Sequence, residues 1–262
     1  MFRLIARRQG YTYVDARNAA LFADARAGSI VRIPERKGPW LIVDHRPETV
    51  IVTRWPGRLW RTEIVSAISE AEERAARSTR TAEGHARYTR AAAVKLIEEV
   101  HPGIMFGKRG AKVCKVIDRA PSLTENEAAA LANARDSRAG SAYSSAWRKW
   151  LEGQPEGQSG THHLGQDMDG TLAVGSLRSP LGSALMIISG EVSRRAQEVA
   201  GKSVLIPDRH DPEGAVLAEP WAAASGVLCD AAMAFGAPDL LSPQEADILA
   251  TPWRKVFGDD PA

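Results

Sequence analysis

Two aspartates placed two residues apart are the side chains of this chain whose spacing most directly suggests chemistry. Asp167 and Asp169 lie in the run DMDGTL, within the stretch GQDMDGTLAVG. Two carboxylates at this spacing can bind Mg²⁺ beside a phosphate group, where one attacks phosphorus and the other transfers protons. On this hypothesis Asp167 is the nucleophile, Asp169 is the acid/base, and both are candidate ligands of Mg²⁺.

The run DMDGTL resembles the nucleophile motif of the haloacid-dehalogenase-like phosphatases. The resemblance implies a Mg²⁺-dependent phosphatase, in which Ser189 binds phosphate and Asp259 or Asp260 holds the metal. In that family the motif follows an apolar strand, whereas His162, His163 and Gln166 stand in the five residues before Asp167. The sequence therefore favours a solvated loop without catalytic residues, a metal or a cofactor, and keeps the phosphatase as an alternative.

A second set of side chains interleaves basic and aromatic groups. Single-stranded nucleic acids are bound by such sets, because cations neutralise phosphates and aromatic rings stack on bases. The predicted phosphate contacts are Arg54, Arg58, Arg61, Lys108, Arg109, Lys112 and Lys115, and the predicted stacking residues are Trp55 and Trp60. The alternative interpretation is that the tryptophans fill a small core and that the lysines lie on a solvated turn.

The charges of the chain are segregated along its length. Residues 1–120 contain 23 Lys+Arg and 13 Asp+Glu, and residues 121–262 contain 11 and 19. Such asymmetry is an argument about partners and encounter rates rather than about fold. The basic part can face DNA or RNA, or it can pair with the acidic part of a second copy of the chain.

Two cysteines and the absence of long apolar runs bear on the compartment. Cys114 and Cys229 stand far apart and show no metal-binding spacing, which is typical of reduced, buried thiols in the cytoplasm. No run of about 18 apolar residues occurs, so we expect no membrane span. The opening residues carry no signal-peptide pattern.

Short runs rich in Val, Ile, Thr and Trp fill the first 65 residues. Pro, Gly and charged turns separate these runs, as is typical of antiparallel strands. The fold class we predict is α+β: an N-terminal small antiparallel β-barrel, SH3-like, followed by a mostly α-helical C-terminal part. The predicted division is 1–65 for the basic barrel, 66–151 for a helical and β continuation, 152–180 for a flexible loop or linker, and 181–262 for an acidic helical domain.

Helices are predicted from apolar spacing and from start signals. Residues 66–100 are predicted to be helical, with pairs such as Glu73–Arg77, and residues 101–121 are predicted to return to a β-like pattern. Capping boxes are predicted at Thr124 with Glu127 and at Ser242 with Glu245. Pro252 is predicted to kink or restart the last helix.

These observations lead to a primary functional hypothesis with two alternatives. The chain is predicted to be a non-enzymatic cytoplasmic protein whose basic part contacts DNA or RNA. Its C-terminal helices would bind a protein partner or form a homo-oligomer. The first alternative is the phosphatase that uses Asp167 and Asp169, and the second is a structural protein that pairs basic and acidic parts between subunits.

Overall fold

The chain divides into two compact units, Met1–Met105 and Phe106–Ala262. The structure is a computed structural model, and it describes residues 9–34, 37–50, 52, 54–77, 88–153, 164–166, 172–174, 180–208 and 214–261. The predicted division into four segments stays a prediction, although the strands of the first unit extend well beyond residue 65. Among the described residues, no helix has the length and apolar character needed to cross a bilayer.

The first unit contains a closed antiparallel barrel of four strands, which supports the predicted α+β class with a small β-barrel. Its strands are β1 (Gln9–Val14), β2 (Ile30–Arg32), β3 (Leu41–Asp44), β4 (Arg58–Ala67) and β5 (Tyr88–Val100). Strand β5 pairs with β4 along one edge and with β3 and β2 along the other. Strand β1 pairs with β4 and meets β3 where Tyr11 lies opposite Asp44, which closes the ring of four strands. The SH3-like identity of this barrel stays a prediction.

Gly10 lies at the closing contact between β1 and β3. A Cβ atom at this position would collide with the main-chain carbonyl oxygen of Asp44 and would lie 2.7 Å from Cγ1 of Val43. Glycine in a strand often marks such a close approach of two backbones. Inside the barrel, Val43, Val94 and other apolar side chains form one buried cluster.

Strand β5 occupies residues 88–100 of the segment 66–100 that was predicted to be helical, and that part of the prediction is wrong. Only α1 (Glu70–Arg77) is helical there among the described residues. The Ala-rich start of β5 has high helix propensity, but its pairing with strands on both edges overrides that preference. Glu73 of α1 accepts a hydrogen bond from Arg90 of β5, and this contact connects α1 to the barrel.

The second unit is mostly helical, as predicted. Its helices are α2 (Gly110–Ile117), α3 (Glu125–Ala134), α4 (Ala139–Glu152), α5 (Pro180–Ala200), α6 (Trp221–Gly236) and α7 (Pro243–Phe257). Two short hairpins accompany them, β6 (Leu164–Gln166) with β7 (Leu172–Val174) and β8 (Leu205–Pro207) with β9 (Ala215–Leu217). Helix α6 packs against α2, α3, α5 and α7 and contributes the largest buried face, so it forms the centre of this unit.

Both predicted capping boxes are confirmed. The Thr124 hydroxyl accepts from the Glu127 amide at 3.2 Å, and the Glu127 carboxylate accepts from the Thr124 amide at 2.8 Å. Ser242 and Glu245 repeat this reciprocal arrangement at the start of α7. Helix α7 continues through Pro252 to Phe257, so the predicted restart is wrong.

Candidate nucleic-acid interface

The two arginines of β4 that were predicted to contact phosphates already have carboxylate partners. Arg58 binds Glu99 through two hydrogen bonds, from Nε to Oε1 at 2.8 Å and from Nη2 to Oε2 at 2.6 Å. Arg61 lies opposite Glu98 in the register of β4 and β5, and the two form an ion pair at 3.3 Å. The hydrogen bond from Arg58 holds the pKa of Glu99 below its usual range, so this carboxylate stays charged. A phosphate would have to displace these carboxylates.

The two predicted stacking tryptophans lie inside the first unit. Trp60 is 3% exposed and belongs to the barrel core, with the Arg58 guanidinium 5.0 Å from its ring centre. Trp55 is 6% exposed and stacks on Tyr13 at 6.2 Å. These positions fit the alternative interpretation, in which both rings fill the core. Their role as stacking residues stays a prediction, and it requires ring faces that the described structure does not expose.

Arg54 differs from the other two arginines of this set. It is exposed, and it has no ion pair with any residue that the structure describes. Of the five predicted interface residues in the first unit, Arg54 is therefore the one whose charge is available to a ligand.

The four remaining cations surround the start of α2. Residues 101–121 were predicted to be β-like, but Gly110–Ile117 is an α-helix, so that prediction is wrong. Val113, Val116 and Ile117 are fully buried on its inner side, and this spacing of three and four is the helical period. Gly107 precedes the helix with φ +81°, a conformation that glycine adopts without strain. We call the four cations the α2 basic cluster: Lys108, Arg109, Lys112 and Lys115.

The α2 basic cluster lacks compensating ion pairs. Lys108, Arg109 and Lys115 are exposed, Lys112 is half-buried, and none of them forms a salt bridge among the described residues. The first turn of α2 contains no acidic residue, and Arg109 at the N-cap makes no capping hydrogen bond. The N-terminus of a helix carries a partial positive charge, so main-chain and side-chain electrostatics both favour an anion here.

The two cysteine thiols are poor candidates for chemistry. Burial raises the pKa of Cys114 to about 12, and it raises the pKa of Cys229 to about 12 as well. A thiol with such a pKa stays protonated at neutral pH, and the nucleophilic form is the thiolate. Both cysteines are free, as the sequence predicted.

Asp230 is a deeply buried carboxyl group of the second unit. It lies on α6, is 2% exposed, and accepts a hydrogen bond from Nε of Arg135 at 3.2 Å. Burial raises the pKa of Asp230 to about 6, although Arg135 acts in the opposite direction. The pair connects α6 to the segment between α3 and α4, which is a structural role.

Because the pKa of Asp230 is raised in the folded state, its titration is expected to lower stability as pH rises. The unfolded chain releases this proton near pH ~4 and the folded chain near pH ~6, so the effect develops between those values and amounts to about 3 kcal/mol. Urea unfolding across this range should show a loss in the wild type that is absent from Asp230→Asn. Asp239→Asn, an exposed control, should follow the wild type. Parallel profiles for wild type and Asp230→Asn would contradict this assignment.

Asp167 and Asp169 lie outside the described residues. The strands before and after them are described, and β6 pairs antiparallel with β7, with Gln166 opposite Leu172. Ser189, which the resemblance makes a phosphate ligand, lies within α5 and accepts a hydrogen bond from Ser225 at 3.5 Å. No group of three or more His, Cys, Asp or Glu side chains that could hold a metal ion occurs in the described part of the chain.

No family model, curated protein or solved structure matches this chain.

Two basic residues of the second unit were missed by the sequence reasoning. Arg119 follows α2, and its guanidinium lies 4.8 Å from the ring centre of Phe257 at the end of α7. Arg254 of α7 binds Asp260 and Asp247. Arg254 and Asp260 stand six residues apart across Gly258, and that spacing is a sequence signal for a pair closed by a turn.

Proposed function

We propose that this protein is a non-enzymatic nucleic-acid-binding protein that holds the phosphate backbone of single-stranded DNA or RNA on the α2 basic cluster. The observation that supports the proposal is the contrast between two sets of cations. Arg58 and Arg61 of the barrel are neutralised by Glu99 and Glu98, whereas the four cations of α2 have no ion pairs among the described residues. Cations without partners gain the most from meeting phosphates.

The arrangement suits a polymer of phosphates better than one phosphate group. The four cations are spread over eight residues: Lys108 and Arg109 directly precede α2, and Lys112 and Lys115 lie on its first two turns. A backbone that passes over this surface can meet several ammonium and guanidinium groups in turn, and such contacts carry affinity without reading sequence. In the first unit, Arg54 is a separate candidate phosphate contact, while Arg58 and Arg61 contribute only if phosphate displaces their carboxylates.

The proposal is tested by the dependence of binding on salt. Four phosphate contacts with a single strand predict a slope of about −3 for the logarithm of the association constant against the logarithm of salt concentration. Fluorescence anisotropy with labelled oligo-dT and oligo-U of about 20 nucleotides measures this slope. Binding to heparin alone would show a general polyanion site, and negligible binding of all three probes at low salt would refute the proposal.

The other hypotheses predict different results in parallel assays. A structural protein would show salt-sensitive oligomerisation by sedimentation, with no binding to oligonucleotides. A phosphatase would hydrolyse an aryl phosphate in the presence of Mg²⁺ and lose this activity in Asp167→Asn. Self-association or protein binding through the C-terminal helices and a cytoplasmic location stay predictions.

A further inference from the structure

We infer that the nucleic-acid-binding surface continues from α2 onto the end of α7. There the Asp260 carboxylate binds Arg254 at the position that a backbone phosphate would otherwise take. This inference rests on the proposed function, and it assigns to Asp260 the effect of lowering the affinity for nucleic acid. It starts from the segment Gly258–Pro261, which folds back along the helix that it follows.

Arg254 and Asp260 form a bidentate contact, which is also the geometry in which arginine binds phosphate. Arg254 donates from Nε to Oδ1 of Asp260 at 2.6 Å and from Nη2 to Oδ2 at 3.3 Å. Arginine binds carboxylates and phosphates with the same fork of parallel N–H groups. The third nitrogen, Nη1, donates to Asp247 at 2.8 Å, so two carboxylates take three of the five N–H groups of Arg254.

The fold holds Asp260 in this position. Gly258 ends α7 with φ +89°, which reverses the chain direction, and Nε1 of Trp253 donates to the carbonyl of Asp259 at 3.3 Å. Pro261 is buried just beyond it. Asp260 therefore reaches Arg254 as part of a turn, and its side chain is 45% exposed.

The same turn lies beside the α2 basic cluster. The Arg254 hydrogen bonds hold the pKa of Asp260 below its usual range, and the positive charge of Lys112 adds to this lowering. The stacking of Arg119 on Phe257 connects the chain after α2 to the end of α7. A phosphate backbone bound on α2 is therefore repelled by the nearby carboxylate of Asp260. It cannot use the positive charge of Arg254 while Asp260 binds that side chain.

Removing the charge of Asp260 is expected to strengthen binding. In Asp260→Asn and Asp260→Ala a phosphate can take the Nε and Nη2 hydrogen bonds of Arg254, while Asp247 keeps its bond to Nη1. The loss of the Asp260 charge beside the α2 basic cluster then adds about one contact. The gain expected is roughly five- to tenfold in oligo-dT affinity at about 50 mM salt, with a salt slope steeper by about 0.7. Adding Arg254→Gln to Asp260→Asn should remove this gain, because the freed cation is the source of it.

Asp239→Asn is the matched control. It changes the net charge by the same amount, and it lies before the start of α7, a helix of 15 residues, at the opposite end from Asp260. The two positions are therefore separated by the length of the helix, about 22 Å. This control should leave affinity within about twofold of wild type, because the Debye length at about 50 mM salt is about 14 Å, which is shorter than this separation.

The outcomes distinguish this inference from the proposed function. If the wild type binds oligonucleotides with the expected salt slope but the Asp260 variants bind no better than Asp239→Asn, the inference is wrong and the proposed function stands. If the wild type does not bind, the proposed function fails and the inference fails with it. Thermal unfolding of each variant by circular dichroism shows that the compared proteins are folded.

Discussion

Replacing Lys108, Arg109, Lys112 and Lys115 together with glutamine is expected to weaken oligonucleotide binding roughly a hundredfold to a thousandfold at about 50 mM salt. Each phosphate contact with a single strand releases about 0.7 counterions, so the loss of four contacts removes most of the electrostatic binding energy. The same variant should show a salt slope close to zero. Anisotropy titrations at several salt concentrations measure both quantities.

A matched pair of double variants separates the α2 basic cluster from a general effect of charge. Lys112→Gln with Lys115→Gln and Arg58→Gln with Arg61→Gln remove the same formal charge from the chain. The α2 pair is expected to lose at least tenfold in affinity at about 50 mM salt. The β4 pair is expected to lose less than about threefold, because Glu99 and Glu98 already neutralise it. Equal losses in the two variants would show that net charge, and not α2, determines binding.

Trp147→Ala is expected to destabilise the helical unit by about 3–5 kcal/mol, because a large buried aromatic side chain leaves a cavity when it is truncated. Trp147 lies on α4 and is fully buried. Its ring makes edge contacts with Tyr143 at 6.2 Å and with Trp150 at 5.6 Å. The free energy of unfolding of a domain is typically only about 5–15 kcal/mol, so this loss is a large fraction of the total.

Hydrogen exchange measured residue by residue shows where Trp147→Ala acts. Amides in α4, α6 and α7 should lose protection, while amides of β4 and β5 should keep it, because the two compact units have separate cores. Trp150→Ala is the control on the same helix; its ring is only half-buried, and its cost should be smaller. Uniform loss of protection in both units would contradict the division at residue 105.

The helices with clear start signals were well predicted from the sequence. Helix α7 begins directly after Ser242, and its predicted capping box of Ser242 and Glu245 forms as expected. Such boxes are read correctly because both partners are within one turn, so the contact depends on local chemistry alone. The fully buried apolar residues of α5, such as Ile188 and Val192, likewise follow a helical period visible in the sequence.

The errors occur where distant partners determine the structure. The run AAAVKLIEEV has the composition of a helix, and its place in β5 depends on pairing with β2, β3 and β4. In the candidate interface, Arg58 and Glu99 are 41 residues apart, so their ion pair cannot be predicted without the strand register. For α2 a usable signal existed, since the apolar residues Val113, Val116 and Ile117 follow the helical period.

Strand β5 has a consequence for the order in which the barrel can assemble during synthesis. Residues 88–100 supply the partner for β2, for β3 and for one edge of β4. A nascent chain that has not yet released these residues from the ribosome therefore exposes three unpaired strand edges, which are templates for aggregation. The barrel can close only after Val100, the last residue of β5, has emerged, and long-range pairing of this kind folds slowly. Chaperone contact with the early nascent chain is thus expected to end when β5 emerges.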